Sequence, residues 1–374
     1  MMLMMAEVLA LQRVADAFPG SEFWAFLAHH QSHVPWVGAS LHDLIQPAFS
    51  FLVGVAVPFS IAGRLARGSR FGGLFVHAVW RSLVLIALGI FLRSIGRPQT
   101  NFTFEDTLTQ IGLGYTFLFL LGWASPRVVW VALGVILAGY WAAFALHPLP
   151  GPEFDWAQAG VAQDWPHHLR GFAAHWNKNT NFAWAFDRWF LNLFPRQEMF
   201  LHNTGGYATL SFIPTLGTMI LGLIAGRWLQ RFPDTVDRVF HLLLAGIAGL
   251  ALGWLLDATG ACPNVKRIWT PAWVLFSGGW CFLLLAAFCA TVDRFGLKAL
   301  AFPLIVVGMN SIAAYLMDWL FVGFIRGTLD THLGARCFEA MGSGYAPLLR
   351  GFAVLAVLWF LLLWMYRRRL FLKI

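Results

Sequence analysis

One short stretch of the sequence combines residue types that can do acid–base chemistry. It reads HHQSHVPWVGASLHDLIQP and contains His33, Trp36, Gly38 and Asp43. An imidazole can remove a proton or act as a nucleophile near neutral pH, and a carboxylate can orient it through its second ring nitrogen. We therefore predict that His33 and Asp43 form a pair, although loop geometry decides whether two residues ten positions apart meet.

Each of these residues also has a simpler explanation. Histidines are frequent in this stretch, so His33 would be one more polar residue at an interface, alongside His29, His30 and His42. An aspartate just before an apolar run is well suited to cap the N-terminus of a helix, which is the alternative for Asp43. Capping and catalysis do not exclude each other.

The composition indicates an integral membrane protein. The 374 residues are 59% hydrophobic and 12% charged, with a mean hydropathy of +0.65. This is more apolar surface than a soluble core can bury. The net charge of +8 does not indicate a nucleic-acid partner, because the basic residues lie in short clusters between apolar runs.

The four cysteines predict no metal site. Cys281 and Cys289 lie inside one apolar run, and Cys262 and Cys337 stand in separate loops without the spacing of a zinc site. A bridge between Cys262 and Cys337 is one option, since an oxidising compartment would permit it.

The apolar runs predict an all-α membrane protein of about ten transmembrane helices. We expect spans close to 1–17, 43–64, 74–94, 105–124, 127–147, 207–229, 236–257, 268–291, 299–323 and 346–366. We treat residues 1–374 as one domain, in which the Trp- and His-rich stretch 148–206 forms an extracytoplasmic cap loop between helices 5 and 6.

The basic residues predict an orientation for these spans. Clusters in alternate loops fall on one side, which the positive-inside rule makes the cytoplasm, as in a bacterial inner membrane. Both termini then lie in the cytoplasm, and the His33 stretch and the cap loop lie outside. The clusters are Arg64/Arg67/Arg70, Arg127, Arg227/Arg231/Arg238, Arg294/Lys298 and Arg367/Arg368/Arg369/Lys373.

The His33 stretch also follows the pattern H-x-x-W-x-G-x-x-x-x-D-L-x-x-P-x-F-x-F-x-x-G. This pattern resembles the catalytic domain of the heparan-α-glucosaminide N-acetyltransferase family and its bacterial relatives. The likeness continues in order along most of the chain, through WRSLVLIALGIFL (Trp80–Leu92), FDR (Phe186–Arg188), VKRIW (Val265–Trp269) and VGMNSIAAYL (Val307–Leu316).

The resemblance implies a transmembrane acyltransferase with His33 at the catalytic position, and the residue types add Asp43 as its predicted catalytic partner. The enzyme would be an acetyl-CoA-dependent N- or O-acetyltransferase that takes acetyl-CoA from the cytoplasm, needs no metal, and modifies an extracytoplasmic amino sugar or glycan. Asn310 is a polar residue in an apolar run, where a polar group is costly unless it faces a cavity, so it is a candidate for the thioester. The further candidates for substrate or donor binding are Trp36, Arg81, Gln110, Lys266, Trp269, Asp187 and Arg188.

Several positions depart from the family pattern. The family commonly opens with S-x-D-x-x-R-G, whereas this chain begins inside the first helix, so we predict an N-terminus truncated relative to the family. L-Q-R-x-G is replaced around Gln110 by Leu-Thr-Gln-Ile-Gly, and D-P-E-G by Asn203-Thr204-Gly205-Gly206. These changes leave the acceptor open.

Other functions fit parts of the sequence. A secondary transporter of a sugar or sugar fragment would share the many helices, but internal repeats and mid-span charges are not evident. A membrane scaffold would not explain the His-Trp-Gly-Asp set.

For the polar candidates, Asn310 could simply bond between helices, and Asp187 and Arg188 could form a local ion pair. The oligomeric state, with a homodimer as one option, and the choice between a ping-pong and a ternary mechanism are also open.

Overall fold

A computed structural model describes residues 1–372, apart from the side chain of Ala335; Lys373, one of the predicted cytoplasmic basic residues, lies outside this range. The described chain is helical, with one isolated bridge between Val37 and Val265 in place of strands. Its α-helices are α1 (Met2–Met5), α2 (Leu11–Ala17), α3 (Glu22–His30), α4 (Ile45–Leu65), α5 (Phe71–Ser94), α6 (Thr107–Trp123), α7 (Pro126–Ala145), α8 (Trp156–Ala159), α9 (Phe182–Phe190), α10 (Phe212–Arg231), α11 (Thr235–Ala258), α12 (Pro271–Phe288), α13 (Lys298–Met309), α14 (Ser311–Leu333) and α15 (Ala346–Arg367).

Eight helical segments in the described chain are long and apolar enough to cross a membrane. They contain α4, α5, α7, α10, α11, α12, α14 and α15. α6 has 17 residues and reaches roughly 26 Å at 1.5 Å per residue, slightly less than the usual hydrocarbon thickness. The predicted class, an all-helical integral membrane protein, is confirmed.

Besides α6, which was predicted as the span 105–124, two of the ten predicted spans differ in detail. The segment predicted at 1–17 consists of α1, a 3₁₀ segment at Ala6–Leu9 and α2, and the break falls at Ala10, whose φ of 49° is left-handed. The span predicted at 299–323 is divided at Asn310 into α13 and α14. A break of this kind is invisible to a hydropathy window, because both flanks are apolar.

The described chain divides into two compact units. Unit 1 contains residues 1–34, 39–45 and 291–374, and unit 2 contains residues 35–38 and 46–290. Whether the chain acts as the single domain that we expect stays a prediction.

Unit 2 is built around α10, which is buried along most of its length. α4 crosses it through two glycines: a Cβ on Gly54 would lie 1.9 Å from Met219 O, and a Cβ on Gly222 would lie 1.9 Å from Phe51 O. Helices can approach this closely only where a residue has no side chain, and membrane helices commonly pack through such small residues.

Unit 1 is built around α15. Val354, Leu358 and Leu362 pack with α13 and α14 in one buried cluster. The 3₁₀ segment Ala6–Leu9 joins α15 at Gly351, where a Cβ would lie 2.3 Å from Val8 O. This contact therefore fixes where the segment Ala6–Leu9 lies along α15.

All four cysteines are free thiols. Cys262 is buried within unit 2 and Cys337 is exposed in unit 1. The bridge that the sequence left as an option is therefore not formed in the described structure.

Candidate functional site

His33 and Asp43 form the predicted pair within unit 1. The distance from His33 Nδ1 to Asp43 Oδ1 is 2.7 Å, and the side chains are 35% and 1% exposed. Because an ionised carboxylate only accepts, we assign the proton to Nδ1. This tautomer leaves the basic lone pair on Nε2.

The local helix start holds Asp43 in place. Ser40 N donates to Asp43 Oδ2 at 3.0 Å, and Asp43 N donates to Ser40 Oγ at 3.2 Å, which is the reciprocal pattern of a capping box. Val34 N adds a longer contact of 3.3 Å to Oδ2. The capping residue is thus Ser40, and Asp43 is the third position of the box rather than the N-cap considered from sequence. Its other oxygen is left for His33.

A second histidine lies beside this pair. The rings of His33 and His42 are 4.4 Å apart between centroids. His42 is 9% exposed, and its Nε2 lies 3.3 Å from Oε1 of Glu7, which is 48% exposed. His29 is exposed, and His30 Nδ1 accepts from Leu41 N at 3.1 Å.

Trp36 is an anchor in unit 2. Its indole is fully buried, and Nε1 donates to Trp176 O at 3.0 Å. Gly38 is held in the same unit, since its N donates to Asn264 O at 3.0 Å. Gly206 lies so close to the indole that a Cβ there would come within 2.7 Å of Trp36. These contacts give Trp36 a structural role, and contact with a substrate stays a prediction.

The segment 203–209, which we call the NTGG segment, brings several predicted residues together in unit 2. Gln110 Nε2 donates to Phe104 O at 2.9 Å and reaches Thr209 O at 3.3 Å, while its Oε1 accepts from Thr215 at 3.3 Å. The amide of Gln110 is therefore used to hold this segment.

Asp187 binds the same segment. Its Oδ2 accepts from Thr209 N at 2.9 Å, whereas the buried Oδ1 has no hydrogen-bond partner. Burial raises the pKa of Asp187 to about 7, against the opposing effect of the Thr209 hydrogen bond. Glu105, which accepts from Asn203 Nδ2 at 2.9 Å, also has its pKa raised, chiefly by burial.

Arg188 does not pair with Asp187. Its guanidinium lies over the ring of Trp184, 5.0 Å from the centroid, and its side chain is exposed. The local ion pair considered from the sequence is wrong, because the Asp187 carboxylate binds Thr209 N and the Arg188 guanidinium lies over the Trp184 ring.

Lys266 and Trp269 belong to the same part of unit 2. Both are buried; the Lys266 ammonium lies 5.9 Å from the centre of the Tyr207 ring. Trp269 donates from Nε1 to Thr218 Oγ1 at 3.0 Å and has a left-handed φ of 51°. Arg81 lies elsewhere in unit 2, with its guanidinium 4.7 Å from the centre of the Tyr115 ring and Nη1 3.3 Å from the Tyr115 hydroxyl.

Asn310 holds the C-terminal tail. Its Nδ2 donates to Leu370 O at 3.0 Å, and its Oδ1 accepts from Leu372 N at 3.1 Å. The residue is fully buried. Both ends of the amide are used, so the geometry favours the structural alternative, and contact with the donor stays a prediction without support.

Asn310 and the His33 pair lie at opposite ends of α15. The segment Ala6–Leu9, whose glutamate contacts His42, packs on Gly351 near the start of the helix. Asn310 contacts the tail beyond Arg367, where the helix ends. The rise from Gly351 to Arg367 is roughly 24 Å at 1.5 Å per residue. One thioester group therefore cannot touch both residues in this conformation.

Comparison with known proteins gives one consistent answer. Human (Homo sapiens) heparan-alpha-glucosaminide N-acetyltransferase is 22% identical over 348 residues, covering 82% of this chain and 50% of its own length. The mouse (Mus musculus) enzyme of the same name is 23% identical over 340 residues, covering 80% of this chain and 50% of its own length.

The chain is a distant relative of heparan-alpha-glucosaminide N-acetyltransferase. It spans about half the length of each of these relatives. No family model matches the chain. The relationship agrees with the family that the His33 pattern indicated from sequence.

Sequence reasoning missed residues both inside and outside the family pattern. Glu7 and Ser40 contact members of the His33 site, and His42 was set aside as one of several interfacial histidines. The S-x-x-D spacing of Ser40 and Asp43 was a readable signal for the capping box. No local sequence pattern identifies Glu7, because it contacts His42 from 35 residues away.

Proposed function

We propose that this protein is a transmembrane acyltransferase that moves an acetyl group from cytoplasmic acetyl-CoA to an extracytoplasmic amino sugar or glycan. The observation that carries the proposal is the hydrogen bond of 2.7 Å between half-exposed His33 and buried Asp43. The distant relationship to an N-acetyltransferase supports the same reaction class.

The His33 pair suits acyl transfer. His33 Nε2 takes a proton from the acceptor as its nitrogen or oxygen attacks the thioester carbonyl, and Asp43 stabilises the imidazolium through Nδ1. The imidazolium then protonates the departing thiolate. In the alternative sequence, Nε2 attacks the thioester and carries the acetyl group itself. Trapping of an acetylated enzyme without acceptor distinguishes the two sequences.

Binding residues are proposed on weaker support. Arg81 would contact the donor's phosphates, because Arg81 and Arg64 both lie near His77, whose Nε2 is 2.7 Å from the Arg64 guanidinium. Asp187 and the exposed Arg188 would contact the acceptor, supported by the Asp187 oxygen that has no hydrogen-bond partner and by the aromatic side chains of the cap loop. For Gln110, Lys266 and Trp269, the buried contacts support positioning of the NTGG segment and its surroundings.

The orientation follows from the positive-inside rule. We propose that the termini face the cytoplasm of a bacterial inner membrane and that the His33 site faces outward. The donor and the acceptor would then approach from opposite sides.

A sugar transporter is less well supported. Transporters commonly place a broken helix at the middle of the membrane, where unwound backbone contacts the substrate. The break at Asn310 instead lies level with the end of α15, and its amide is occupied by the C-terminal tail.

The test uses the full chain in proteoliposomes with acetyl-CoA and glucosamine as the trial acceptor. We expect His33→Ala to lower transfer by about 100-fold or more, the usual contribution of a positioned base. The matched control is His29→Ala, an exposed histidine of α3, which should keep its activity. Equal transfer by His33→Ala and the unmodified protein would exclude the assignment. Accumulation of glucosamine without acetyl-CoA would favour the transporter.

A further inference from the structure

Unit 1 contains two adjacent histidine–carboxylate pairs, of which the proposed reaction uses one. His33 pairs with Asp43 at 2.7 Å, and His42 pairs with Glu7 at 3.3 Å. The two rings are 4.4 Å apart between centroids and tilted by 55°. The two imidazoles are therefore neighbours, and a proton can pass between neighbouring imidazoles through one water molecule.

Acetylation of a protonated amine releases two protons, so it calls for two such pairs. The inference rests on the proposed function. An amino sugar that arrives as R–NH₃⁺ reacts with acetyl-S-CoA to give R–NH–acetyl, HS-CoA and H⁺. A carbon–nitrogen bond forms and a carbon–sulfur bond breaks. Nitrogen loses two protons: one goes to the leaving thiolate, and the other must leave the site.

The His33 pair accounts for the first proton only. His33 takes it from nitrogen and returns it to sulfur, so the pair ends the cycle as it began. While His33 is an imidazolium, it cannot accept a second proton. We infer that His42 and Glu7 accept the other proton and carry it away from the reacting atoms to solvent.

The exposure of the two groups gives this route a direction. His42 is 9% exposed and lies against His33, whereas Glu7 is 48% exposed. A proton that passes from His42 to Glu7 therefore moves outward. The positive charge on His33 during the reaction favours this transfer, because two adjacent imidazoliums repel each other.

The surrounding charges are compatible with the route. On its own segment His42 adjoins Asp43, which is held by His33, Ser40 and Val34. His30 of α3 lies near the same turn through its bond to Leu41. From α15, Arg350 is already paired with Asp330 at 2.9 Å.

The simpler explanation is that Glu7 and His42 only tie the N-terminal segment to the His33 loop. A tether and a proton route make different predictions about pH. Loss of a tether lowers the rate by the same factor at every pH. Loss of a proton route lowers the rate when the amine arrives protonated, because two protons must leave nitrogen. It leaves the rate unchanged when the amine arrives neutral, because only one proton must leave.

The experiment measures acetyl transfer to glucosamine by Glu7→Gln across pH in proteoliposomes. We expect a rate about tenfold below that of the unmodified protein at about pH 6 and within twofold of it at about pH 9, on either side of the ionisation of an ordinary sugar amine. The matched control is Glu22→Gln, an exposed carboxylate in the first turn of α3, which should follow the unmodified profile.

His42→Phe provides a second variant that keeps an aromatic ring against His33. It should show the same pH-dependent loss, with a thermal unfolding midpoint close to that of the unmodified protein. A rate ratio that is constant with pH in Glu7→Gln, whether near one or far below it, would overturn the inference. If the unmodified protein transfers no acetyl group to any amino sugar or glycan, the proposed function itself fails, which is a separate outcome.

Discussion

Two buried aspartates in this protein are held in opposite ways. Asp43 in unit 1 accepts from the backbone of Ser40 and Val34 and from the His33 ring, so both of its oxygens are used. Asp187 in unit 2 has one backbone donor, and its other buried oxygen has no partner. The first environment stabilises a fixed negative charge. The second makes charge costly and brings the pKa of Asp187 to about 7.

The difference follows from how each environment is built. The donors to Asp43 come from residues within ten positions of it, around a helix start whose geometry is local. The donor to Asp187 comes from Thr209, 22 residues away, in a segment that Gln110 also holds. A locally built carboxylate suits a permanent role beside a base, whereas a half-satisfied one suits a group that changes its protonation state.

Removing the charge of Asp43 should have the largest effect. We expect Asp43→Asn to lower the turnover number for acetyl transfer by about 100-fold, because the amide cannot stabilise the imidazolium as a carboxylate does. The measurement is steady-state kinetics at saturating acetyl-CoA. Asp16→Asn, an exposed carboxylate of α2, is the control. A loss smaller than threefold would show that His33 does not depend on Asp43.

Removal of the Asn310 amide should affect stability and not chemistry. We expect Asn310→Ala to lower the free energy of unfolding by about 1–3 kcal/mol, because it removes both hydrogen bonds between the buried amide and the backbone of the tail. Transfer per folded molecule should stay within threefold of the unmodified protein. A selective rise in the KM for acetyl-CoA would restore the donor-binding role that the sequence suggested.

Neutralising Asp187 should change how stability depends on pH. The folded-state pKa of about 7 lies above the unfolded value of 3.8, so the folded state binds more protons between these values. Stability is therefore lost as pH rises through this window. We expect Asp187→Asn to unfold a few degrees above the unmodified protein at about pH 8, with a smaller or reversed difference at about pH 4.

The readout is the unfolding midpoint in detergent at both pH values. Asp164→Asn, an exposed carboxylate of the cap loop, should show no such change. If Asp187→Asn is equally destabilised at both pH values, the Asp187 carboxylate of the unmodified protein is ionised and stabilising, like that of Asp43.

The same contrast explains what could be predicted from the sequence. The His33–Asp43 pair was accessible because motif, helix start and chemistry fall within one short stretch. Glu7 and the environment of Asp187 depend on long-range packing that leaves no local pattern. The ten-helix interpretation was right in class, but it treated 299–323 as one span. An asparagine whose partners lie 60 residues away at the tail reads as a polar residue inside an apolar helix.

The central claim is that acetyl transfer occurs at His33. A structure of the full chain with a non-hydrolysable acetyl-CoA analogue tests it most directly. If His33 Nε2 is the nucleophile, we predict that the carbonyl carbon of the thioester analogue lies about 3–3.5 Å from it. If Nε2 is the base, the nitrogen or oxygen of the acceptor should fit between the two atoms. The carbonyl carbon should lie on the order of 20 Å or more from Asn310, at the other end of α15. A thioester group bound at Asn310, or far from His33, would contradict the account.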